Sequence, residues 1–182
     1  KAKIITSIAM YYDLDNPLSF AKDIRNCLTD DGIWILQMSY TPFMLMQNAF
    51  DNIIHEHLEY YSLKSLDYII KKAKMKIVDV DFNDTNGGSV RLIVAKTEDS
   101  VYKSALYNYY IGKVRYKCVL DYENKYFKDI KKEFLRFKLN VNKEKRKTLK
   151  LLSRLKKQNK LVIGYGASTK GNTLLQYYNI TN

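Results

Sequence analysis

Both histidines of this 182-residue chain stand in one tripeptide, His55-Glu56-His57. Histidine is the side chain best suited to move a proton near neutral pH, and an adjacent carboxylate can orient it or raise its pKa. In an extended segment His55 and His57 would project to one side and Glu56 to the other. That geometry also suits two ligands of a metal ion. Zinc sites draw mainly on Cys and His, however, and here no third histidine remains and Cys27 and Cys118 are isolated. Spacing alone leaves proton transfer, metal ligation and a polar surface open. A second cluster is Gly164 to Asn172, GYGASTKGN. Glycines after a strand let a backbone approach a phosphate, a helix N-terminus adds a positive field, and Ser168, Thr169 and Lys170 add donors. Its spacing matches neither common dinucleotide nor triphosphate signature, so a tight turn is an equal reading. A third cluster, Asn86-Gly87-Gly88-Ser89, is most simply a hairpin turn.

These residues need elements to position them. Lys3 to Met10 reads as a buried strand, and Asp13 to Pro17 as a helix start followed by Leu18, Phe20, Ile24, Cys27 and Leu28 at helical spacing. Asp30-Asp31-Gly32 is expected to break that helix before a strand over Ile33 to Met38. Strand, helix, strand is a parallel crossover unit, whose ligands bind beyond the C-terminal strand ends. Ser62 is expected to cap a helix through Leu63, Leu66, Ile69, Ile70 and Ala73. Met75 to Phe82 and Val90 to Ala95 then form a hairpin. The fold class is therefore α/β: the second half of a doubly wound sheet with an antiparallel edge hairpin. From about Ser104 to Lys160 the pattern is helical, with one apolar stripe at Phe127, Ile130, Phe134 and Phe137. A second stripe, at Leu149, Leu152 and Leu155, follows an expected break near Leu139-Asn140. Leu161 to Tyr165 reads as a further strand and Thr173 to Tyr178 as the start of a helix. Three regions follow: 1–97, 98–158 as a Lys-rich helical connector, and 159–182 as the start of another domain.

Hydrophobic residues make up 46% and charged residues 27%, which excludes a disordered chain. No apolar run approaches a membrane span, no leader pattern is visible, and the isolated cysteines fit a reducing, cytoplasmic setting. The first residue is Lys1, and the chain is expected to be a piece of a longer protein. The net charge of +12 lies entirely after Thr97. A basic segment can attract an anionic partner, and it can equally be a solvated lysine face. Lysine outnumbers arginine 25 to 6, which disfavours direct nucleic-acid reading by arginine forks.

FDNIIHEHLEYYS, NGGSVRLIVAK and VIGYGASTKGNTLL occur here in that order. In sequence and spacing they resemble the S-adenosylmethionine-dependent sugar C-methyltransferases. The resemblance covers nearly the whole chain and about half of the family's length. It implies the later part of a class I methyltransferase domain followed by the start of a Rossmann-like one, with a zinc region and the glycine-rich cofactor loop outside this sequence. It implies methylation of a carbon next to the keto group of a nucleotide-linked deoxysugar. By position, His57 matches the family's general base, Glu56 the carboxylate beside it, and His55 a common family histidine. Gly88, Ser89 and Arg91 match the substrate-side hairpin. Gly166, Ala167, Ser168, Lys170 and Asn172 match a turn expected near the diphosphate. Ser7, at the end of the first strand, is the one cofactor contact implied within this chain. The sequence departs from the family at Ile54, Ser7 and Tyr11, where tyrosine, asparagine and histidine are usual; Tyr12, Tyr60 and Tyr61 stand nearby as replacements. The departures leave open a different acceptor on the same fold. The lysine-rich helices leave open a nucleotide- or RNA-binding module.

Overall fold

The computed structural model describes residues 1–97, 109–166 and 168–181. The chain forms two compact units, one of residues 1–43 with 58–128, the other of residues 44–57 with 129–182.

The first unit is built on a four-stranded sheet. Its strands are β1 (Ala2–Ile8), β2 (Leu28–Ser39), β3 (Lys76–Asn83) and β4 (Ser89–Ala95). Their order is β1-β2-β4-β3. β1 and β2 are parallel, and β4 is antiparallel to both β2 and β3. The expected antiparallel hairpin lies at one edge: β3 is the edge strand, running in the direction of β1 and β2, and β4 lies inside it. The physical reason is burial. In β4 Ser89, Val90, Leu92, Val94 and Ala95 are buried, and only Arg91 is exposed. A strand apolar on both faces belongs inside a sheet, not at its margin.

Helix α1 (Pro17–Cys27) starts with Asn16 as N-cap, its side chain accepting from Ser19 N, and with proline at the first helical position. It passes directly into β2 at Leu28. Asp30-Asp31-Gly32 therefore lies within the strand and does not end the helix as expected. The pairing jumps from Ala2 opposite Leu28 to Ile4 opposite Ile33, so the extra residues bulge out. A Cβ on Gly32 would sit 3.0 Å from Ala2 O and Leu28 Cδ2, which explains glycine there. Helix α2 (Thr41–Gln47) begins in this unit and continues into the other. Helix α3 (Leu63–Lys72) has the expected Ser62 cap, made reciprocal by Ser65.

Helix α4 (Tyr109–Tyr126) packs on β3 and α3. The expected helix start at Ser104 falls outside the described residues. Arg115 forks onto the buried Asp79 carboxylate, through Nε at 2.8 Å and also through a terminal nitrogen. Glu123, 1% exposed, does more. Its Oε1 accepts from Tyr40 OH at 2.6 Å and Leu63 N at 2.6 Å, and its Oε2 from Lys64 N at 3.0 Å. A carboxylate on the first turn of α3 satisfies two donors that no helical carbonyl can reach and meets the positive end of the helix.

In the second unit, α5 (Ile130–Lys157) is one uninterrupted helix, capped by Asp129. The expected break near Leu139-Asn140 is absent, and Phe127 precedes the helix instead of lying on its stripe. No glycine or proline interrupts residues 130–157. The inward face runs from Phe137 and Val141 through Lys145 and Thr148. Lys145 sits over the Tyr177 ring and donates to Tyr177 O, so polar residues interrupt the apolar pattern without interrupting the helix. Helix α6 (Thr169–Tyr178) closes the unit, with Tyr177 and Tyr178 against the Phe50 ring. Leu161 to Tyr165 is not a strand. A strand needs a hydrogen-bonding partner, and the described residues of this unit contain no second one.

Glu123→Ala should destabilise the protein by about 3 kcal/mol in urea denaturation, because it strands three donors, and Glu123→Gln by about half of that. A loss below 1 kcal/mol for alanine would contradict the capping role. Burial first, and the Glu123 charge second, push the Tyr40 hydroxyl above the usual tyrosine range; burial and Asp67 do the same to Tyr116. These groups ionise at about pH 10 when unfolded. Stability should therefore be full below that pH and fall as pH rises beyond it, and a urea midpoint unchanged between pH 9 and 11 would refute this.

Candidate functional site

The histidine segment belongs to the second unit. It is not extended as expected. His57 N donates to Ile54 O at 3.2 Å, which closes a turn with His55 and Glu56 at its two central positions, both exposed. His57 is half-buried, and its Nδ1 lies 2.8 Å from the carbonyl oxygen of Asn52. A carbonyl only accepts, so the neutral ring carries its proton on Nδ1 and its lone pair on Nε2. That tautomer can take up a proton at Nε2. The orienting group found on the ring is thus a main-chain oxygen. The carboxylate of Glu56 was the expected one.

Asn52 closes a 3-10 turn, Phe50–Asn52, and is 5% exposed. Its Nδ2 donates to Ala49 O at 3.2 Å, and its Oδ1 accepts from Lys170 Nζ at 2.7 Å. Lys170 lies in the first turn of α6. The fold therefore brings two residues 113 positions apart in the sequence, the histidine and a lysine of the glycine-rich turn, onto one asparagine. Nothing in the spacing singled out Asn52; its signal was membership of the FDNIIHEHLEYYS segment.

The glycine-rich turn is placed as follows. Ser168 is the N-cap of α6, accepting from Gly171 N at 3.1 Å. Gly164, Tyr165, Gly166, Ser168 and Asn172 line a groove of about 510 Å³ with Thr148. A Cβ on Gly164 or Gly166 would meet nothing within 4 Å. Neither glycine has the positive φ that only glycine adopts easily, so the protein's own packing demands neither. Ala167 lies outside the described residues.

The remaining candidates are in the first unit. Ser89 is buried, with its hydroxyl donating to Thr85 O at 2.8 Å; it fastens the hairpin turn in which Gly87 and Gly88 take φ of 80° and 117°. Gly88, carried over with the hairpin, is thus required by the backbone itself. Arg91 pairs across the strands with Asp81 at 2.5 Å on an exposed face. Ser7 is buried, and its Oγ accepts from Trp34 Nε1 at 3.0 Å. Tyr11 is fully buried, its hydroxyl donating to Pro17 O at 2.8 Å and its ring edge-on to Trp34. Tyr12 is buried and its carbonyl accepts from Leu58 N and Glu59 N, while Tyr60 is exposed. Tyr61 is 4% exposed, and its hydroxyl has no hydrogen-bond partner among the described residues. Burial, then the Glu59 charge, push that hydroxyl above the usual tyrosine range.

A family model described as the C-methyltransferase C-terminal domain matches residues 84–182, more than half of the chain. The chain belongs to this family. A stretch of 68 residues is 37% identical to the C-methyltransferase NovU of Streptomyces niveus, covering 37% of this chain and 16% of that protein. The match thus spans a small part of that relative's length.

Two further properties bear on what this family member can bind. No group of three or more His, Cys, Asp or Glu residues comes together for a metal among the described residues, and no described helix is long and apolar enough to cross a membrane. Ser7, the one cofactor contact expected within this chain, is turned into the core toward Trp34.

Tyr11 and Tyr61 make opposite use of the same group. Tyr11→Phe should cost about 1 kcal/mol by losing the Pro17 bond, whereas Tyr61→Phe should be neutral or stabilise by about 1 kcal/mol by removing an unpaired hydroxyl. Thermal unfolding of the two variants checks this, and equal losses would mean that the Tyr61 hydroxyl has a partner.

Proposed function

We propose that this chain is part of an S-adenosylmethionine-dependent C-methyltransferase acting on a carbon next to the keto group of a nucleotide-linked deoxysugar. The observation that carries the reading is the His57–Asn52–Lys170 arrangement: a ring with its lone pair on Nε2, and an ammonium anchored to the same residue. The donor supplies an electrophilic methyl group. The other roles fall to side chains and main-chain groups of this chain. His57 Nε2 removes the weakly acidic proton next to the ketone, a step for which a positioned base contributes roughly 10²- to 10⁴-fold. The Nδ1–H bond to Asn52 O holds the ring in orientation and stabilises the imidazolium that forms. Lys170 and the α6 N-terminus attract the diphosphate, and Gly164 and Gly166 let its oxygens approach the main chain. Glu56, at the turn apex, faces solvent and adds negative charge near the imidazolium. His55 lies beside it on the same turn. Ser89 and Arg91 are assigned to the substrate side only by family position, and a soluble cytoplasmic setting follows from the kind of substrate.

Ser7 and Tyr11, which replace polar family residues, are both committed to the core. This favours an acceptor with fewer polar contacts than the usual family sugar, on the same chemistry.

In the full enzyme, His57→Ala should lower methyl transfer at least 100-fold with donor affinity nearly unchanged. Without donor, wild-type enzyme should exchange the acidic C–H of a nucleotide-linked keto sugar with deuterated water, and the variant should not. Retained turnover and retained exchange together would overturn the assignment of the base.

A further inference from the structure

We infer that Asn52 is a positioning residue that sets the anion-binding cation and the proton acceptor of one site relative to each other. The inference rests on the roles of His57 and Lys170 proposed above. Three hydrogen bonds define it. The main-chain oxygen receives His57 Nδ1, the side-chain oxygen receives Lys170 Nζ, and the amide nitrogen is spent on Ala49 O. The last bond fixes which way the amide faces: with its nitrogen turned to a carbonyl, its oxygen must face the ammonium. Because both partners bond atoms of one residue, Lys170 Nζ and His57 Nδ1 are held within roughly 11 Å. A single small substrate can touch both.

The choice of an amide here has an electrostatic consequence. Asn52 satisfies one ammonium donor without neutralising its charge, and no carboxylate pairs with Lys170 among the described residues. An arriving phosphate therefore meets a full positive charge that is already oriented. An aspartate of the same shape would keep an oxygen on the lysine but cancel that charge, and it would give up the bond to Ala49 O. Asparagine at 52 is thus a requirement of ligand charge as well as of local folding.

The test is calorimetric titration of the full chain with inorganic pyrophosphate at fixed ionic strength, with thermal melts as a folding control. Lys170→Met should weaken binding about tenfold. Asn52→Asp should weaken it to a similar degree while the protein still folds, with a melting temperature lowered by loss of the Ala49 bond, because the lysine stays in place and loses its net charge. Asn52→Ala should weaken binding several-fold alone and add nothing in the Lys170→Met background. Wild-type affinity in Asn52→Asp, or additive losses in the double variant, would overturn the inference while leaving Lys170 as an anion contact. Unchanged affinity in Lys170→Met would remove the diphosphate reading itself and the inference with it. If Asn52→Ala fails to fold, the isosteric aspartate variant carries the test alone.

Discussion

The reversal at Gly87 and Gly88 is the constraint on which the sheet depends. Two successive positive φ values return the chain tightly enough for β4 to lie against β3. Because β4 also pairs with β2, that turn joins the parallel pair to the outer strand. Val90, Leu92 and Val94 then meet Trp34, Leu36 and Met38 of β2 and the α3 residues Leu63, Leu66 and Ile70 in one core. Ser89, at the first position after the turn, locks the return by bonding Thr85 O. A side chain at either glycine would strain the turn, and the whole pairing order would lose its hinge.

The second unit is organised differently. Its helices carry most of its length, yet the histidine segment lies on a short stretch outside the α-helices. That stretch is ordered by its own polar atoms: a 3-10 turn ending at Asn52, a β-turn closed on His57, and a lysine reaching in from α6. The imidazole of His57 is oriented here by a main-chain carbonyl, that of Asn52, which the turns hold in place. A side-chain carboxylate would have carried more charge and more rotational freedom.

Much of the fold was legible in the residues, for reasons that can be named. Asp13 to Pro17 and Ser62 marked helix starts, and the structure puts Asn16 and Ser62 on the orphan amides as caps. The alternation of Met75 to Phe82 and the apolar run of Val90 to Ala95 marked strands because each has buried positions to fill. What was not legible depended on partners distant in sequence. The inner place of β4 requires knowing that β2 waits beside it. The gap between the two apolar stripes of α5, read as a break near Leu139-Asn140, holds Lys145, whose contacts are with the distant Tyr177. Leu161 to Tyr165 has strand composition but lacks a neighbour to pair with. At the site, His57 stood out by type, whereas Asn52 is an ordinary residue whose importance is entirely a matter of where Lys170 and the imidazole end up.

The unpaired run after α5 has a practical side. Leu161 and Ile163 are 85% and 78% exposed, and Val162 between them is half-exposed. A β-branched, uncharged stretch with open main-chain amides is a template for pairing between molecules. In the polypeptide of this sequence those few residues are therefore a pairing hazard, which its large positive charge counters. Masking them with a polar substitution such as Ile163→Thr is the natural first step in preparing it for spectroscopy.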